Sequence, residues 1–158
     1  MNDPCVTASV EIDARPDVMY GLITDLSTLT SLAEEPVAME WRKGSAVGPG
    51  AVFVGRNENG GHRWTTKCTA TAAAAEPGRV FAFDVRYTVI PIARWQYDIT
   101  DLAAADGGCQ VTESTWDRRP GWFRKLAPRA TGIADRAAAN AEHIQLTLQR
   151  LKRRAEAG

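Results

Sequence analysis

Glu113 is the residue of this sequence whose type and setting best suit acid–base chemistry. It lies in the stretch "CQVTESTW", residues 109–116, where Val, Thr and Trp are typical of a strand. A carboxyl group buried among aromatic rings has a raised pKa, which suits it to proton transfer near neutral pH or to anchoring a ligand hydroxyl. The alternatives are a surface carboxylate, or a buried one satisfied by Tyr97 or a backbone amide.

Strand alternation predicts the direction in which Glu113 points. In the preceding strand, predicted at 93–102, the apolar residues Trp95, Tyr97 and Ile99 share one face, which we expect to face the core. If the "ADGG" turn between the two strands is tight, three opposite pairs follow: Ile99 with Val111, Tyr97 with Glu113 and Trp95 with Thr115. We therefore predict that Glu113 points inward, since only a one-residue slip or a bulge reverses this orientation.

Four aromatic side chains and one amide complete the predicted ligand-binding set with Glu113: Trp64, Phe83, Trp95, Tyr97 and Asn140. The aromatic rings suit the stacking of a flat apolar ligand, but they equally suit ordinary core packing. Asn140 lies on the apolar face of the last predicted helix, where a polar group needs a partner from ligand, water or protein. His143 and His62 are interpreted as an interfacial and a turn residue, because no nucleophile–base pair accompanies them.

The composition is that of an ordinary globular protein and argues against several classes of function. Of the 158 residues, 44% are hydrophobic and 24% are charged, and 19 basic residues balance 19 acidic ones. This balance gives no reason to expect a nucleic-acid partner. No apolar run approaches the roughly 20 residues that cross a bilayer, so we expect no stable membrane insertion.

The three cysteines, Cys5, Cys68 and Cys109, are widely spaced and form no Cys-x-x-Cys pair. This pattern favours reduced thiols in a cytoplasmic protein, and it argues against a disulfide framework and a zinc site. The N-terminal residues also lack the basic and apolar regions of a signal peptide. We expect neither a metal nor a cofactor.

Periodicity and turn signals predict the order of the elements. A strand at 5–12 is followed by two short helices, and strands follow near 37–42, 50–57, 62–73, 79–88, 93–102 and 108–117. A long amphipathic helix at 131–155 ends the chain, with Ile133, Ala137, Ile144, Leu148 and Leu151 on its apolar face. Short connections make the strands antiparallel, and the helix must cover the apolar face of the sheet. A curved sheet around one helix leaves room for a ligand cavity.

Four stretches of the sequence occur in the order of a known family. They are "SVEIDARPDVMYGLITDLSTLTSL", "WTTKCTATAAAAEPGRVFAFDV", "RWQYDITDLAAADGGCQVTES" and the closing helix. Together they resemble the SRPBCC superfamily of START-like, helix-grip proteins, in particular its polyketide cyclase/dehydrase and lipid transport branch. The resemblance implies one α+β helix-grip domain over residues 1–158, with a curved antiparallel sheet of about seven strands wrapped around the long C-terminal helix. The aromatic–proline element that usually ends the second helix is replaced by "TSLAEEP".

This resemblance implies a function without fixing it. Family members bind lipids, sterols, polyketides and other apolar molecules, and only some are enzymes. Our first hypothesis is binding or transport of an apolar small molecule between the sheet and the C-terminal helix. The second is a polyketide cyclase/dehydrase-type enzyme in which Glu113 shuttles a proton and Tyr97 or Asn140 orients the substrate. The third is an interaction protein of stress or toxin–antitoxin type with an empty pocket. We favour binding, because cyclisation requires a convincing acid–base pair.

A basic and aromatic segment, "RRPGWFRKLAP" at 118–128, precedes the long helix and is interpreted as a linker. Its charged and aromatic residues are Arg118, Arg119, Trp122, Phe123, Arg124 and Lys125. Such a segment suits transient contact with a membrane surface during lipid pick-up. The alternative is a packed linker with solvated charges. Nothing in the sequence indicates the oligomeric state.

Overall fold

The alternating stretches form a seven-stranded antiparallel sheet. The computed structural model describes residues 3–44, 50–71, 79–102 and 108–157. The strands are β1 (Val6–Ile12), β2 (Pro36–Lys43), β3 (Val52–Asn59), β4 (His62–Ala70), β5 (Val80–Tyr87), β6 (Ile90–Asp101) and β7 (Cys109–Asp117). Their order across the sheet is β1-β7-β6-β5-β4-β3-β2, so the first two strands in sequence lie at opposite edges. The predicted turns "GSAVGPG", "EPGR" and "ADGG" and the alanine run at 72–75 fall wholly or largely outside the described residues.

Two short helices connect β1 to β2, as predicted. They are α1 (Pro16–Thr24) and α2 (Leu26–Leu32). Asp25 separates them, because its carboxylate accepts hydrogen bonds from the backbone N–H of Ser27 at 3.0 Å and of Thr28 at 3.3 Å. This is a side-chain cap, which starts α2 as a new helix.

The interpretation of the segment before the long helix as a linker is wrong, because this segment is a third helix, α3 (Gly121–Thr131). The extended Pro120 precedes it, and Pro128 lies inside it. Gly132 ends it with φ 74°, a left-handed conformation that favours glycine. Proline and glycine usually indicate turns in a sequence, so the segment was not predicted to be helical. Here Pro120 precedes the helix and Gly132 ends it.

The long C-terminal helix begins later than predicted. It is α4 (Arg136–Glu156), and the Asp135 side chain caps it by accepting a hydrogen bond from the backbone of its first turn. Its buried residues are Asn140, Ile144, Thr147, Leu148 and Leu151. Ala137, predicted to lie on the apolar face, is exposed, and Ile133 lies before the helix. The apolar pattern of the sequence does not reveal this later start, because alanines continue into the exposed first turn of α4.

Strand β6 also begins earlier than the predicted residue 93. A two-residue turn at Thr88 and Val89 joins it to β5. Thr88 has φ 53°, which a turn of this kind usually gives to glycine or asparagine, so the sequence carries no turn signal there. Pro91 pairs with Arg86 beside a register shift, where the missing backbone donor is tolerated.

The helices all lie on the side of the sheet that carries the core, which is the predicted helix-grip arrangement. The pairing of β6 with β7 has the predicted register: Ile99 opposite Val111, Tyr97 opposite Glu113 and Trp95 opposite Thr115. Helix α4 lies closest to β1 and β7, α2 lies near β2, and α3 lies near β4. In the part of the chain that the structure describes, no helix is long and apolar enough to span a membrane.

The outer face of the sheet, which points away from the core, carries a buried arginine. Arg94 is only 4% exposed. Its guanidinium donates to Thr71 Oγ1 at 3.3 Å and lies 3.5 Å from Asp84 Oδ1. The same group lies 5.9 Å from the centre of the Trp116 ring, a cation–π arrangement. The outer face is therefore locally packed and does not face solvent along its whole length.

Candidate functional site

The sheet and helices α2, α3 and α4 surround a cavity of about 270 Å³. This volume lies just below the roughly 300–1,000 Å³ that most small-molecule sites occupy. The walls are mainly apolar and include Leu29, Met39, Phe53, Val85, Ile92 and Leu126. A cavity of this size and lining suits a small apolar molecule.

All six side chains predicted to bind a ligand line this one cavity. They are Trp64, Phe83, Trp95, Tyr97, Glu113 and Asn140. Trp64 and Trp95 are half-buried, whereas the other four are buried. The structure therefore brings the predicted set together, and the binding role of each residue stays a prediction.

Aromatic contacts hold the inner wall of the cavity in place. The rings of Phe53 and Phe83 meet edge to face with centres 5.2 Å apart, and Trp41 meets Phe53 in the same way at 5.6 Å. Phe81 stacks on Tyr97 with centres 6.4 Å apart and planes inclined by 13°. These are favoured aromatic geometries, so the tyrosine hydroxyl enters the site from a fixed ring.

Glu113 is a buried carboxyl group with one oxygen satisfied and one not. It is 3% exposed, and the Tyr97 hydroxyl donates a hydrogen bond of 2.8 Å to its Oε2. Its Oε1 is buried and has no hydrogen-bond partner among the described residues. Burial raises the pKa of Glu113 to about 8, which the hydrogen bond from Tyr97 only partly offsets. The group is therefore mainly uncharged at neutral pH.

Two other polar groups of the lining share this environment. Burial raises the pKa of the Tyr97 hydroxyl well above its ordinary value, so that it stays a hydrogen-bond donor. Asn140 is 8% exposed, and no hydrogen bond joins its side-chain amide to another described residue. The cavity thus contains a carboxyl oxygen and an amide that have no hydrogen-bond partner in the described part of the chain.

Among the described residues, the lining includes one thiol, Cys68. Burial raises the pKa of this thiol to about 12, which keeps it in its unreactive neutral form. Among the described residues, no group of three or more His, Cys, Asp or Glu side chains is placed to hold a metal ion.

Three other side chains of the lining, Glu35, Arg136 and His143, form a cluster that we call the α2–α4 clamp. Arg136 NH1 lies 2.6 Å from Glu35 Oε2, and His143 Nδ1 lies 3.0 Å from the same oxygen. Burial raises the pKa of Glu35, but the His143 hydrogen bond and the Arg136 charge outweigh it and lower the pKa overall. The neighbouring Glu34 pairs with Arg150 at 3.1 Å. The "TSLAEEP" segment thus ties the end of α2 to α4.

A second ion pair lines the cavity near α3. Arg119 donates to both carboxylate oxygens of Asp117, at 3.0 Å and 2.8 Å. Burial raises the pKa of Asp117, but these hydrogen bonds outweigh it, so the pKa is lowered overall. Neither this pair nor the α2–α4 clamp was predicted from the sequence as part of the lining. The spacing of two residues between Asp117 and Arg119, at the end of a strand, was the one local feature of the sequence that indicated this ion pair.

The seven-stranded antiparallel sheet holding a long C-terminal helix defines the helix-grip class of protein, and comparison with known proteins narrows this class. The model of the family described as "Polyketide cyclase / dehydrase and lipid transport" matches residues 3–156. The chain therefore belongs to this family, as the resemblance implied. No curated protein matches the sequence.

Several solved structures share the fold at low sequence identity. The polyketide cyclase-like protein Cgl2372 from Corynebacterium glutamicum is 24% identical with a TM-score of 0.63, over 99% of this chain and 94% of that one. A protein from Deinococcus radiodurans is 16% identical with a TM-score of 0.66, over 97% and 98% of the two chains. The di-domain ARO/CYC StfQ of steffimycin biosynthesis is 12% identical with a TM-score of 0.69, over 96% of this chain and 50% of that one. These likenesses establish the fold.

The raised pKa of Glu113 predicts that stability depends on pH. Its ordinary pKa is 4.5 and its folded pKa about 8, so the stabilising contribution is fully present below pH 4.5 and is lost as the pH rises toward 8. Glu113→Gln does not titrate. From pH 5 to pH 9, we expect the free energy of unfolding of the wild type to fall by roughly 2 to 4 kcal/mol relative to the variant in urea denaturation. The exposed Glu142→Gln serves as control and should show no such trend; a constant wild-type-to-Glu113→Gln difference would contradict the prediction.

Proposed function

We propose that this protein binds an apolar small molecule, such as a lipid or a polyketide, in the cavity between its sheet and helices. The observation that carries the proposal is an apolar cavity of about 270 Å³ with one unpartnered buried carboxyl oxygen in its wall. The apolar walls favour transfer of a hydrocarbon or aromatic skeleton from water. Family membership supports ligand binding in general, and the identity of the ligand is part of the proposal.

The polar groups supply orientation. A buried polar group without a partner costs free energy, which a ligand atom recovers when it forms the missing hydrogen bond. Glu113 Oε1 is such a group, and the Asn140 amide lies in the same lining. We infer that one end of the ligand is polar and lies against these two side chains. A pocket too small for any ligand would favour the hypothesis of an interaction protein, and a cavity of about 270 Å³ is large enough for a small molecule.

An enzyme of the cyclase/dehydrase type is the second candidate, and one observation favours it. Glu113 has a pKa of about 8, so near neutral pH it is mainly protonated, and a small fraction is ionised. A group with this pKa serves efficiently as a general acid or base. Binding is still the preferred proposal, because the other acidic side chains of the lining are held in ion pairs and offer no second proton carrier: Glu34, Glu35 and Asp117.

Ligand binding is testable with the apolar fluorescent probe N-phenyl-1-naphthylamine. We expect a saturable rise in probe fluorescence, and an apolar molecule recovered intact from the native protein by mass spectrometry. Ala130 lies on α3 at an exposed position of the lining, so Ala130→Trp should occupy cavity space and weaken probe binding at least tenfold. Ala137→Trp, exposed on α4 and outside the lining, is the matched control. Equal affinity of both variants and the wild type would refute the cavity as the site.

The catalytic alternative is testable on a poly-β-ketone substrate. If Glu113 transfers a proton, Glu113→Gln should lower the turnover rate about 10²- to 10⁴-fold while probe affinity changes little, since Gln keeps the shape of the side chain. The measurement is product formation by chromatography under single-turnover conditions. Turnover that survives Glu113→Gln removes Glu113 from any catalytic role.

We propose further that the protein picks up its ligand from an anionic membrane surface. Four apolar side chains with unusual exposure surround the α3 end of the cavity: Tyr87 at 39%, Val89 at 84%, Trp122 at 59% and Leu126 at 51%. We call them the apolar rim. Tyr87 and Leu126 also line the cavity, so the rim continues into it. Residues 118–131 contain five basic and no acidic side chains. Three of the five pair with Asp84 or Asp117, and the exposed Lys125 and Arg129 complement anionic headgroups.

Vesicle co-sedimentation tests this contact. With phosphatidylcholine vesicles containing phosphatidylserine, we expect binding that decreases at high salt, and weak binding to phosphatidylcholine alone. Trp122→Ala should reduce binding several-fold, because Trp122 is the largest exposed apolar side chain of α3. Val37→Ala is the control, since Val37 is 51% exposed on β2 and outside the rim. Equal losses in both variants, or no vesicle binding, would overturn the proposal.

A further inference from the structure

The free oxygen of Glu113 has a defined place in the cavity. Tyr97 and Glu113 face each other across the β6–β7 pairing, and the hydroxyl donates to Oε2 at 2.8 Å. The other oxygen, Oε1, is buried and has no partner among the described residues, although Glu113 lines the cavity. Ligand recognition at this point therefore depends on whether Oε1 donates or accepts a hydrogen bond.

The ion pairs of the lining indicate that Glu113 is uncharged. Among the described residues, the basic side chains of the lining are Arg119, Arg136 and His143. Arg119 pairs with Asp117, and the other two pair with Glu35. None of these three side chains pairs with Glu113, and an isolated buried charge is far costlier than a neutral carboxyl group. The pKa of about 8, which burial produces, agrees with this conclusion.

An uncharged carboxyl group carries its proton on one oxygen, and the structure indicates which. Oε2 accepts the hydrogen bond from Tyr97, so its neighbour Oε1 is the oxygen free to carry the proton. A protonated carboxyl group is a donor as well as an acceptor. Oε1 thus presents an O–H to the cavity.

From this geometry we propose that the ligand carries a carbonyl oxygen, which accepts a hydrogen bond from the uncharged carboxyl group of Glu113. The inference rests on the proposed ligand-binding function and specifies its ligand class as ketones and related carbonyl compounds with an apolar skeleton. Asn140, on α4, lines the same cavity and offers N–H groups as further donors. A carbonyl oxygen has two lone pairs and accommodates both donors.

Three naphthalene derivatives with the same ring and matched side chains test the proposal: 2-acetonaphthone, 1-(2-naphthyl)ethanol and 2-ethylnaphthalene. At pH 7 we expect the ketone to bind about tenfold more tightly than the hydrocarbon, the effect of one well-placed hydrogen bond. At pH 9.5 Glu113 is ionised and this preference should disappear. The alcohol, which both donates and accepts, should bind at either pH. Affinities are measured by quenching of the fluorescence of Trp64 and Trp95, which line the cavity.

Two variants at position 113 separate the donor from the shape of the side chain. Glu113→Gln keeps an N–H donor without a titrating group, so the ketone preference should persist at both pH values. Glu113→Leu has no donor and should lose the preference while binding the hydrocarbon as tightly as the wild type does. Asn140→Leu should weaken ketone binding but retain its pH dependence, because Glu113 is intact.

Different results would contradict the carbonyl inference and the proposed binding of an apolar molecule. Equal binding of ketone and hydrocarbon at pH 7, or a ketone preference that persists unchanged in the wild type at pH 9.5, overturns the carbonyl inference and leaves apolar binding intact. If none of the three compounds binds while N-phenyl-1-naphthylamine does, the carbonyl inference fails alone. If that probe does not bind either, the proposed function fails as well.

Discussion

The hydrogen bond from Tyr97 to Glu113 is the interaction on which the character of this cavity depends. It places a carboxyl group, 3% exposed, in the wall of an otherwise apolar space and satisfies only one of its oxygens. Without a donor at Oε2, burial of this group would cost more and its position would be less defined. The register of β6 and β7 sets the contact, because it places these two residues directly opposite each other.

The positions of the other charged side chains explain why the Glu113 carboxyl group is uncharged. The basic side chains of the described lining belong to ion pairs with acidic partners, in the α2–α4 clamp and at Asp117. These pairs have a structural role, since Arg136 and His143 join α4 to Glu35 after α2. They also have a chemical consequence, because cations engaged elsewhere do not stabilise an ionised Glu113. One set of contacts thus shapes the cavity and keeps its polar group neutral.

The sequence allowed the fold to be predicted where local pattern and packing agree. Strand alternation across a turn placed Glu113 opposite Tyr97, and the pairing confirms it. Helix α3 was missed because Pro120, Gly121 and Pro128 are turn signals that packing overrides. The α2–α4 clamp was missed because residues 35 and 136 are far apart in sequence. An ion pair between such residues follows only from the tertiary arrangement, which also decides that Arg94 is buried on the outer face.

The cavity itself follows from how the helices divide the sheet between them. Helix α4 lies closest to β1 and β7 at one edge, and α3 lies near β4 in the other half. The buried apolar residues of α4, such as Leu148 and Leu151, do not line the cavity. The more polar Asn140 and His143 of the same helix do line it. Neither helix fills that space, and the large aromatic side chains of β3 to β6 wall it without closing it. The cavity is therefore a consequence of the helix-grip fold, in which α4 packs against one edge of the sheet and α3 covers part of the other half.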